Sequence, residues 1–133
     1  MHDPVEVRAS VVLSAVPESA ATARRFISDI CNAAQLGENT CATAALLVSE
    51  LVTNAIRYGG SRAVLEAMAP GGMLRVAVRD DNPALPVVGH HPDLTAESGR
   101  GLLLVSTLAD NWGVESVEGG GKAVWFELVI SGD

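Results

Sequence analysis

The chain has 133 residues, the usual length of a single domain, and we expect residues 1–133 to form one domain. Its composition, 48% hydrophobic and 19% charged, argues against intrinsic disorder. A net charge of −7 disfavours binding along DNA or RNA or to anionic membranes, because those partners select basic proteins. The sequence has no long apolar run and no secretory signal pattern at its start, so we expect a soluble cytoplasmic protein.

The two cysteines, Cys31 and Cys41, are not part of a CxxC motif or a histidine cluster. The sequence therefore predicts neither a disulfide framework nor a zinc site, and both residues are expected to be small apolar residues on helices. A redox pair is the alternative. It is disfavoured because no basic residue stands near enough in the sequence to stabilise a thiolate.

The first half of the chain predicts one strand followed by two helices. Alternating apolar residues from Val5 to Leu13 indicate an edge or near-edge strand. Apolar residues every three or four positions predict a helix from about Glu18 to Gln35, with Gly37 as its stop signal. A second helix is expected to be capped by Asn39 or Thr40 and to end at the glycine pair 59–60.

The second half predicts two hairpins separated by a long loop and a helix. The strands are expected at residues 62–68, 73–79, 112–117 and 122–130, with glycine-rich turns within each hairpin. Residues 80–98, which include His90 and His91, form a loop of unusual length that suggests a lid, and a buried helix follows from Leu102 to Ala109. This order predicts a two-layer α/β sandwich, with a mixed, mostly antiparallel sheet and helices on one face.

Polar residues form a stripe along the second predicted helix: Glu50, Thr53, Asn54, Arg57 and Tyr58. Glu50 and Asn54 are one turn apart, about 6 Å along the axis, so both could address one ligand. A solvated helix face is the alternative. Asn54 weakens that alternative, because asparagine is a mediocre helix former and its place in mid-helix asks for a role.

Two further segments carry polar groups at the ends of elements. Asp80 falls on the same face of its strand as the apolar residues that point inward. Its carboxylate either accepts a hydrogen bond from a group such as the amino group of a bound base or caps the following turn. Gly99, Arg100 and Gly101 precede the third helix. There, free N–H groups and a mobile cation could receive an anion, although such a segment could also be a simple hinge.

Together these segments resemble the conserved boxes of the GHKL ATPase superfamily, in particular the small histidine-kinase-like ATPase domain of anti-sigma factor serine/threonine kinases. The matching segments are ELVTNAIRYG at 50–59, VAVRDDNPALP at 76–86, ESGRGLLLV at 97–105 and GGGKAVWF at 119–126. They occur in the order of the family and span most of the chain.

The resemblance implies a Bergerat-type fold that binds ATP between helices and sheet under a lid. It implies that Asn54 binds Mg²⁺, that Glu50 is the catalytic base or orienting group, and that Asp80 accepts from the adenine amino group. Gly99, Arg100 and Gly101 would then cradle the phosphates. The resemblance also places further residues at the nucleotide, namely Arg57, Asn82, Leu102 and Lys122.

Three departures from the superfamily pattern are visible. Residues 81–86, DNPALP, replace the glycines that usually follow the aspartate; Lys122 stands where threonine is frequent near the adenine; and Tyr58 replaces a frequent histidine. A complete sensor histidine kinase is not expected, because 133 residues leave no room for a helical phosphoacceptor domain.

The leading hypothesis is an ATP- and Mg²⁺-dependent anti-sigma-type serine/threonine kinase that phosphorylates a small antagonist protein and binds a sigma factor. Members of the family it resembles often pair, which allows a homodimer. A nucleotide-binding module that sequesters a partner without turnover is the alternative, and a degenerate fold without nucleotide is a third. Because the net charge is −7, attraction for a nucleotide must be local, from Mg²⁺ at Asn54, from Arg100 and from a helix N-terminus.

Overall fold

The computed structural model describes residues 6–58, 62–82 and 96–129; the side chains of Tyr58 and of residues 96–100 are outside that description. The sequence predictions at Val5, Gly59, Gly60, Ile130 and most of the long loop, with His90 and His91, also lie outside it. In chain order the elements are β1 (Val7–Ser14), α1 (Ser19–Ala34), α2 (Glu38–Tyr58), β2 (Arg62–Ala69), β3 (Met73–Asp80), α3 (Ala96–Leu108), β4 (Asn111–Ser116) and β5 (Lys122–Val129).

The five strands form one sheet in the order β1-β2-β3-β5-β4, and every neighbouring pair is antiparallel. Strand β1 lies at an edge, as predicted, and the three helices contact the sheet on one face. The α/β sandwich predicted from the sequence is confirmed. Within the described strands the sheet is wholly antiparallel. The hairpins β2–β3 and β4–β5 supply two of its pairings, and the other two, β1 with β2 and β3 with β5, are antiparallel as well.

The core lies between the helices and the inward face of the sheet. Alternation along β2 and β3 buries every second residue, and α1 and α2 contribute the facing apolar stripes. The largest fully buried side chains are Phe126, Ile27, Leu47, Leu65, Leu74, Val48, Val52, Val76 and Val105. At roughly 1.5–3 kcal/mol for each buried aliphatic or aromatic side chain, this layer is the main source of stability.

One helix stop signal and one helix start differ from their sequence predictions. Helix α1 ends at Ala34, within one residue of the predicted end, but the left-handed residue that follows it is Gln35, with φ of 58°, and not Gly37. The Gln35 N–H donates to the Asn32 carbonyl and the Leu36 N–H to the Cys31 carbonyl, so the last carbonyls of α1 are satisfied locally. Helix α2 begins at Glu38, ahead of the predicted caps Asn39 and Thr40, because the Gly37 carbonyl already accepts the Cys41 N–H at 3.0 Å.

Helix α3 differs more, and the difference bears on the site. The sequence predicts a helix that starts at Leu102 after a glycine-rich turn, whereas α3 starts at Ala96. Gly99, Arg100 and Gly101 therefore lie inside the first two turns of the helix. The prediction failed because glycine lowers helix propensity by only about 1 kcal/mol, which the packing of the following apolar residues can offset.

Candidate functional site

Helix α2 carries the first part of the candidate site. Glu50 and Asn54 are both half-buried on the side of α2 away from the fully buried residues Val48 and Val52. Arg57 is exposed one turn further on, in the last turn of α2, where a cation interacts favourably with the helix dipole. The predicted polar stripe therefore exists, and its central residues are partly shielded from water.

Gly101 of α3 packs directly against this stripe. A Cβ atom placed on Gly101 would collide with Nδ2 of Asn54 and would lie 3.7 Å from Cβ of Glu50. The Asn54 amide thus lies against the backbone of α3, in the position that a side chain at residue 101 would occupy. Two motifs separated by about forty residues meet at this contact, so the structure brings Glu50, Asn54 and Gly101 together as the sequence motifs require.

The backbone of the glycine segment is already helical in this structure. Gly101 is the sixth residue of α3, so its N–H lies beyond the first turn, whose N–H groups alone lack helical acceptors. The neighbouring Leu102 is 3% exposed and belongs to the hydrophobic core. The Leu102 side chain is therefore a packing residue, and a contact to nucleotide would have to come from its backbone.

The inward end of β3 carries the second part of the site. Asp80 is buried at 9% exposure, and its inward orientation is as the strand parity predicts. Its Oδ1 accepts the backbone N–H of Asn82 at 2.9 Å, which is the local turn cap that the sequence left as an alternative. The same Oδ1 atom also accepts from Nζ of Lys122 at 2.9 Å.

Lys122 is held on this carboxylate from the neighbouring strand. Asp80 and Lys122 are directly paired residues of β3 and β5, and the Lys122 Nζ also lies 3.4 Å from the Asn82 carbonyl oxygen. Only 11% of the Lys122 side chain and 5% of the Asp80 side chain are exposed. The ion pair is therefore shielded from solvent. Removal of either partner would leave the other as a buried, unpaired charge.

The β4–β5 hairpin approaches the same carboxylate through its backbone. Gly121 has φ of 94°, and a Cβ atom there would collide with the Asp80 carbonyl oxygen. A cavity of about 170 Å³ also touches Asp80, with Arg62, Val64 and Arg79 in its lining. Those three residues have the outward parity of their strands, so this cavity opens away from Glu50 and Asn54.

Sequence reasoning did not foresee the ion pair between Asp80 and Lys122. A signal was present, because Lys122 shares the parity of Val124, Phe126 and Leu128, and a lysine at an inward position needs an acidic partner. Among residues 6–58, 62–82 and 96–129 there is no group of three or more His, Cys, Asp or Glu residues that could hold a metal ion. No helix within these same ranges is long and apolar enough to cross a bilayer.

The comparisons with known proteins place this fold in the class of kinase-like ATPase domains. The sequence model of the histidine kinase-like ATPase domain matches residues 13–128, so the chain belongs to that family. Membership of this family implies an ATP-binding module. An uncharacterized Streptomyces coelicolor protein, SCO4941, is 38% identical over 72 residues, which are 51% of this chain and 69% of that protein.

Solved structures share the fold at low sequence identity. The structure of the RsbU and RsbW domains of Rv1364c from Mycobacterium tuberculosis superposes with a TM-score of 0.71 and 18% identity. It covers 96% of this chain, which in turn spans 33% of the Rv1364c chain. The blue-light activated histidine kinase of Erythrobacter litoralis EL346 gives a TM-score of 0.57 at 22% identity, over 86% of this chain and 42% of that one.

Proposed function

We propose that this domain is a serine/threonine protein kinase of the anti-sigma type, which transfers the γ-phosphoryl group of ATP to a small antagonist protein and also binds a sigma factor. The observation that carries the proposal is the packing of Gly101 against Asn54 and Glu50. This contact sets a carboxylate, an amide and a glycine-containing helix beside one another, which are the kinds of group that bind and position a triphosphate.

Each residue has a chemical role in this proposal. Asn54 offers an amide oxygen, a ligand type that suits Mg²⁺, which commonly takes one or two protein oxygens and completes its shell with phosphate and water. Bound Mg²⁺ would supply charge neutralisation at the phosphates. Arg57 adds a cation in the last turn of α2, the first turn of α3 adds N–H groups, and the resemblance assigns Arg100 to the phosphates.

Glu50 handles the proton of the acceptor. The acceptor hydroxyl gives its proton to a Glu50 carboxylate oxygen as its own oxygen bonds to the γ-phosphorus, and the bond from that phosphorus to the bridging oxygen of ADP breaks. A carboxylate one helical turn from Asn54 suits this role, because transfer depends mainly on positioning.

Support for the anti-sigma class comes from two sources. One is the resemblance of the four sequence motifs to that class. The other is the similarity of fold to Rv1364c, a protein whose structure contains an RsbW domain. On this basis the partners of the domain are a small antagonist protein with an acceptor serine and a sigma factor.

The test compares Asn54→Ala with Asn32→Ala, an exposed asparagine on α1 that serves as the matched control. Calorimetric titration with ATP and ADP, with and without Mg²⁺, measures binding, and γ-labelled ATP with candidate antagonist proteins measures transfer. We expect Asn54→Ala to lose Mg²⁺-dependent binding and transfer while Asn32→Ala retains both. Transfer by Asn54→Ala at the wild-type rate would remove the proposed metal site.

A module that binds nucleotide and sequesters a partner without turnover is the second candidate. The helical state of Gly99 to Gly101 favours it, because most N–H groups of that segment are already within the helix. The two candidates separate in one experiment. Binding of ATP by the wild type with no label on any antagonist supports the second, and labelling that depends on Glu50 supports the kinase.

A further inference from the structure

Cys31 and Cys41, the two cysteines of the chain, meet at the junction of α1 and α2, and the proposed function uses neither of them. Cys31 lies in the last turn of α1 and Cys41 in the first turn of α2. Both are free thiols, and their side chains are in hydrogen-bond contact. The contact therefore joins the two helices across the short connection between them.

The backbone between the two cysteines holds this contact in place. The Leu36 N–H donates to the Cys31 carbonyl at 3.0 Å, and the Cys41 N–H donates to the Gly37 carbonyl at 3.0 Å. The Cys41 thiol also lies 3.8 Å from the Leu36 carbonyl oxygen, which is a weak S–H hydrogen bond. Each end of the connection is thus tied to a helix, so the thiols are neighbours in the folded chain before any reaction.

We propose that Cys31 and Cys41 form a redox-responsive modification site, at which a peroxide converts the two thiols of the folded protein into an intramolecular disulfide. The bond is reversible, because thiol reductants open it again by exchange. The inference depends neither on nucleotide binding nor on phosphoryl transfer. It places a covalent site on α2 about 13 Å along the helix axis from Glu50, at 1.5 Å per residue.

Proximity favours this reaction in place of an activated thiolate. No basic residue adjoins either cysteine in the sequence, which is why the sequence alone disfavours a redox pair. The structure adds what the sequence does not show, namely that the two side chains touch. Groups that are already positioned react at a high effective concentration, so ring closure competes well with further oxidation of a single sulfur.

The two thiols have unequal roles because they differ in burial. Cys41 is half-buried and within reach of a small oxidant, whereas Cys31 is 2% exposed and belongs to the hydrophobic core. Burial, followed by the hydrogen bond and charge interaction with Cys41, raises the pKa of the Cys31 thiol to about 12, so Cys31 keeps its proton near neutral pH. Cys41 is therefore the thiol that the peroxide oxidises first, and Cys31 resolves the product.

The reaction balances with one peroxide molecule. The Cys41 sulfur bonds to one peroxide oxygen as the O–O bond breaks, which gives a sulfenic acid at Cys41 and one water. The Cys31 sulfur then bonds to the Cys41 sulfur, the sulfenic S–O bond breaks, and the Cys31 proton leaves with the hydroxyl group as a second water. The two thiols lose two electrons and two protons, and the peroxide is reduced to two waters.

The experiment follows the two thiols of the whole chain during exposure to hydrogen peroxide near neutral pH. Samples are alkylated, digested without reductant and measured by mass spectrometry. We expect both thiols to disappear together, with a loss of about 2 Da and a linked peptide that contains Cys31 and Cys41, and dithiothreitol should restore both. In Cys31→Ala the Cys41 sulfur should advance to sulfinic acid instead, because no neighbouring thiol resolves it. In Cys41→Ala the buried Cys31 should stay reduced at the same dose.

A urea series separates reaction in the folded chain from reaction after unfolding. We expect the rate at which the linked peptide forms to be unchanged by urea well below the unfolding midpoint, because the thiols already touch. A rate that rises steeply with urea would overturn the inference, because two cysteines so close in sequence also meet in an unfolded chain.

Three further results would overturn the inference. They are a sulfinic acid at Cys41 of the wild type with Cys31 still reduced, a disulfide only between two copies of the chain, and a lower melting temperature after oxidation. We expect the oxidised wild type to melt roughly 5 °C higher than the reduced protein, because the bond restricts the unfolded chain. If Cys31→Ala does not fold, the wild type and Cys41→Ala decide the question.

Discussion

Gly101 and Asn54 touch so closely that the site between α2 and α3 depends on the absence of a side chain at position 101. A Cβ atom there would overlap Nδ2 of Asn54, while the backbone of Gly101 is ordinary helix. The requirement for glycine is therefore one of space and not of backbone conformation. This relationship couples the position of α3 to the one amide that the proposed mechanism needs for Mg²⁺.

Gly101→Ala should therefore abolish Mg²⁺-dependent nucleotide binding. In an unobstructed helix the same substitution would raise stability by about 1 kcal/mol, because alanine is the better helix former. Here the Asn54 amide would have to rotate away from the new Cβ, which should cancel part of that gain, so we expect the free energy of unfolding to change by less than about 1 kcal/mol while binding is lost. Urea unfolding and calorimetric titration with Mg-ATP measure the two effects.

Gly113→Ala is the matched control for Gly101→Ala. A Cβ atom at Gly113 would lie 2.8 Å from Nε1 of Trp125, so this glycine is also crowded, but on the outward face of β4 and β5. We expect Gly113→Ala to lose stability and to keep Mg-ATP binding. A loss of binding in both variants would show that general destabilisation, and not the position of Asn54, explains the result.

Gly121 tests a second place where two backbone segments lie close together, beside Asp80. Its φ of 94° is strained for other residues, and a Cβ atom would also meet the Asp80 carbonyl oxygen. Gly120 has φ of 105° but has nothing within 4 Å of the corresponding position. We expect Gly121→Ala to cost about 2 kcal/mol more than Gly120→Ala in urea unfolding, because only the former adds an overlap to the strain. Equal losses of unfolding free energy in the two variants would mean that backbone strain alone accounts for the destabilisation.

The pair of Asp80 and Lys122 should contribute strongly coupled stability. We expect Asp80→Asn alone to lower the free energy of unfolding by about 3 kcal/mol, because it leaves a nearly buried ammonium without its counter-charge. The double variant Asp80→Asn/Lys122→Met should lose less than the sum of the single variants, with a coupling of about 1–3 kcal/mol.

The control for that cycle is the exposed pair of Arg79 and Glu66. These side chains are 43% and 48% exposed, so Glu66→Gln should change the free energy of unfolding by less than about 1 kcal/mol. Salt should weaken the exposed pair more than the shielded one. Additive losses at Asp80 and Lys122 in urea unfolding would contradict a shielded ion pair.

Most of the fold follows from periodicity in the sequence. Alternation along β2, β3 and β5 predicts which residues face the helices, and it places Asp80 inward correctly. The helix ends were less predictable, because Gln35 adopts a left-handed conformation that the sequence signals only weakly and because Gly37 is a helix stop signal in sequence terms. The start of α3 was missed for a related reason, since packing overrides the low helix propensity of two glycines.

The sequence marks the motifs of the candidate site but not the contacts between them. Each motif could be recognised along the chain, yet the meeting of Gly101 with Asn54 depends on how α3 packs on α2. The partner of Asp80 depends on the register of β3 against β5. Registers and helix packing are long-range properties, and a single sequence encodes them only through weak cues such as the inward parity of Lys122.

The last prediction concerns the pH dependence of stability through Cys31. Burial, together with a hydrogen bond and charge interaction with Cys41, raises the pKa of the Cys31 thiol from 9.0 to about 12. The neutral thiol is therefore favoured in the folded chain, and between those pH values the folded chain binds more protons than the unfolded chain. Stability from this residue is present below about pH 9 and declines as pH rises, by up to about 1.4 kcal/mol per pH unit.

Urea unfolding from pH 7 to 10.5 should show the advantage of wild type over Cys31→Ala shrinking above pH 9. The half-buried Cys41 serves as the control in Cys41→Ala, which should keep most of the wild-type decline, and a pH-independent difference between wild type and Cys31→Ala would contradict the prediction.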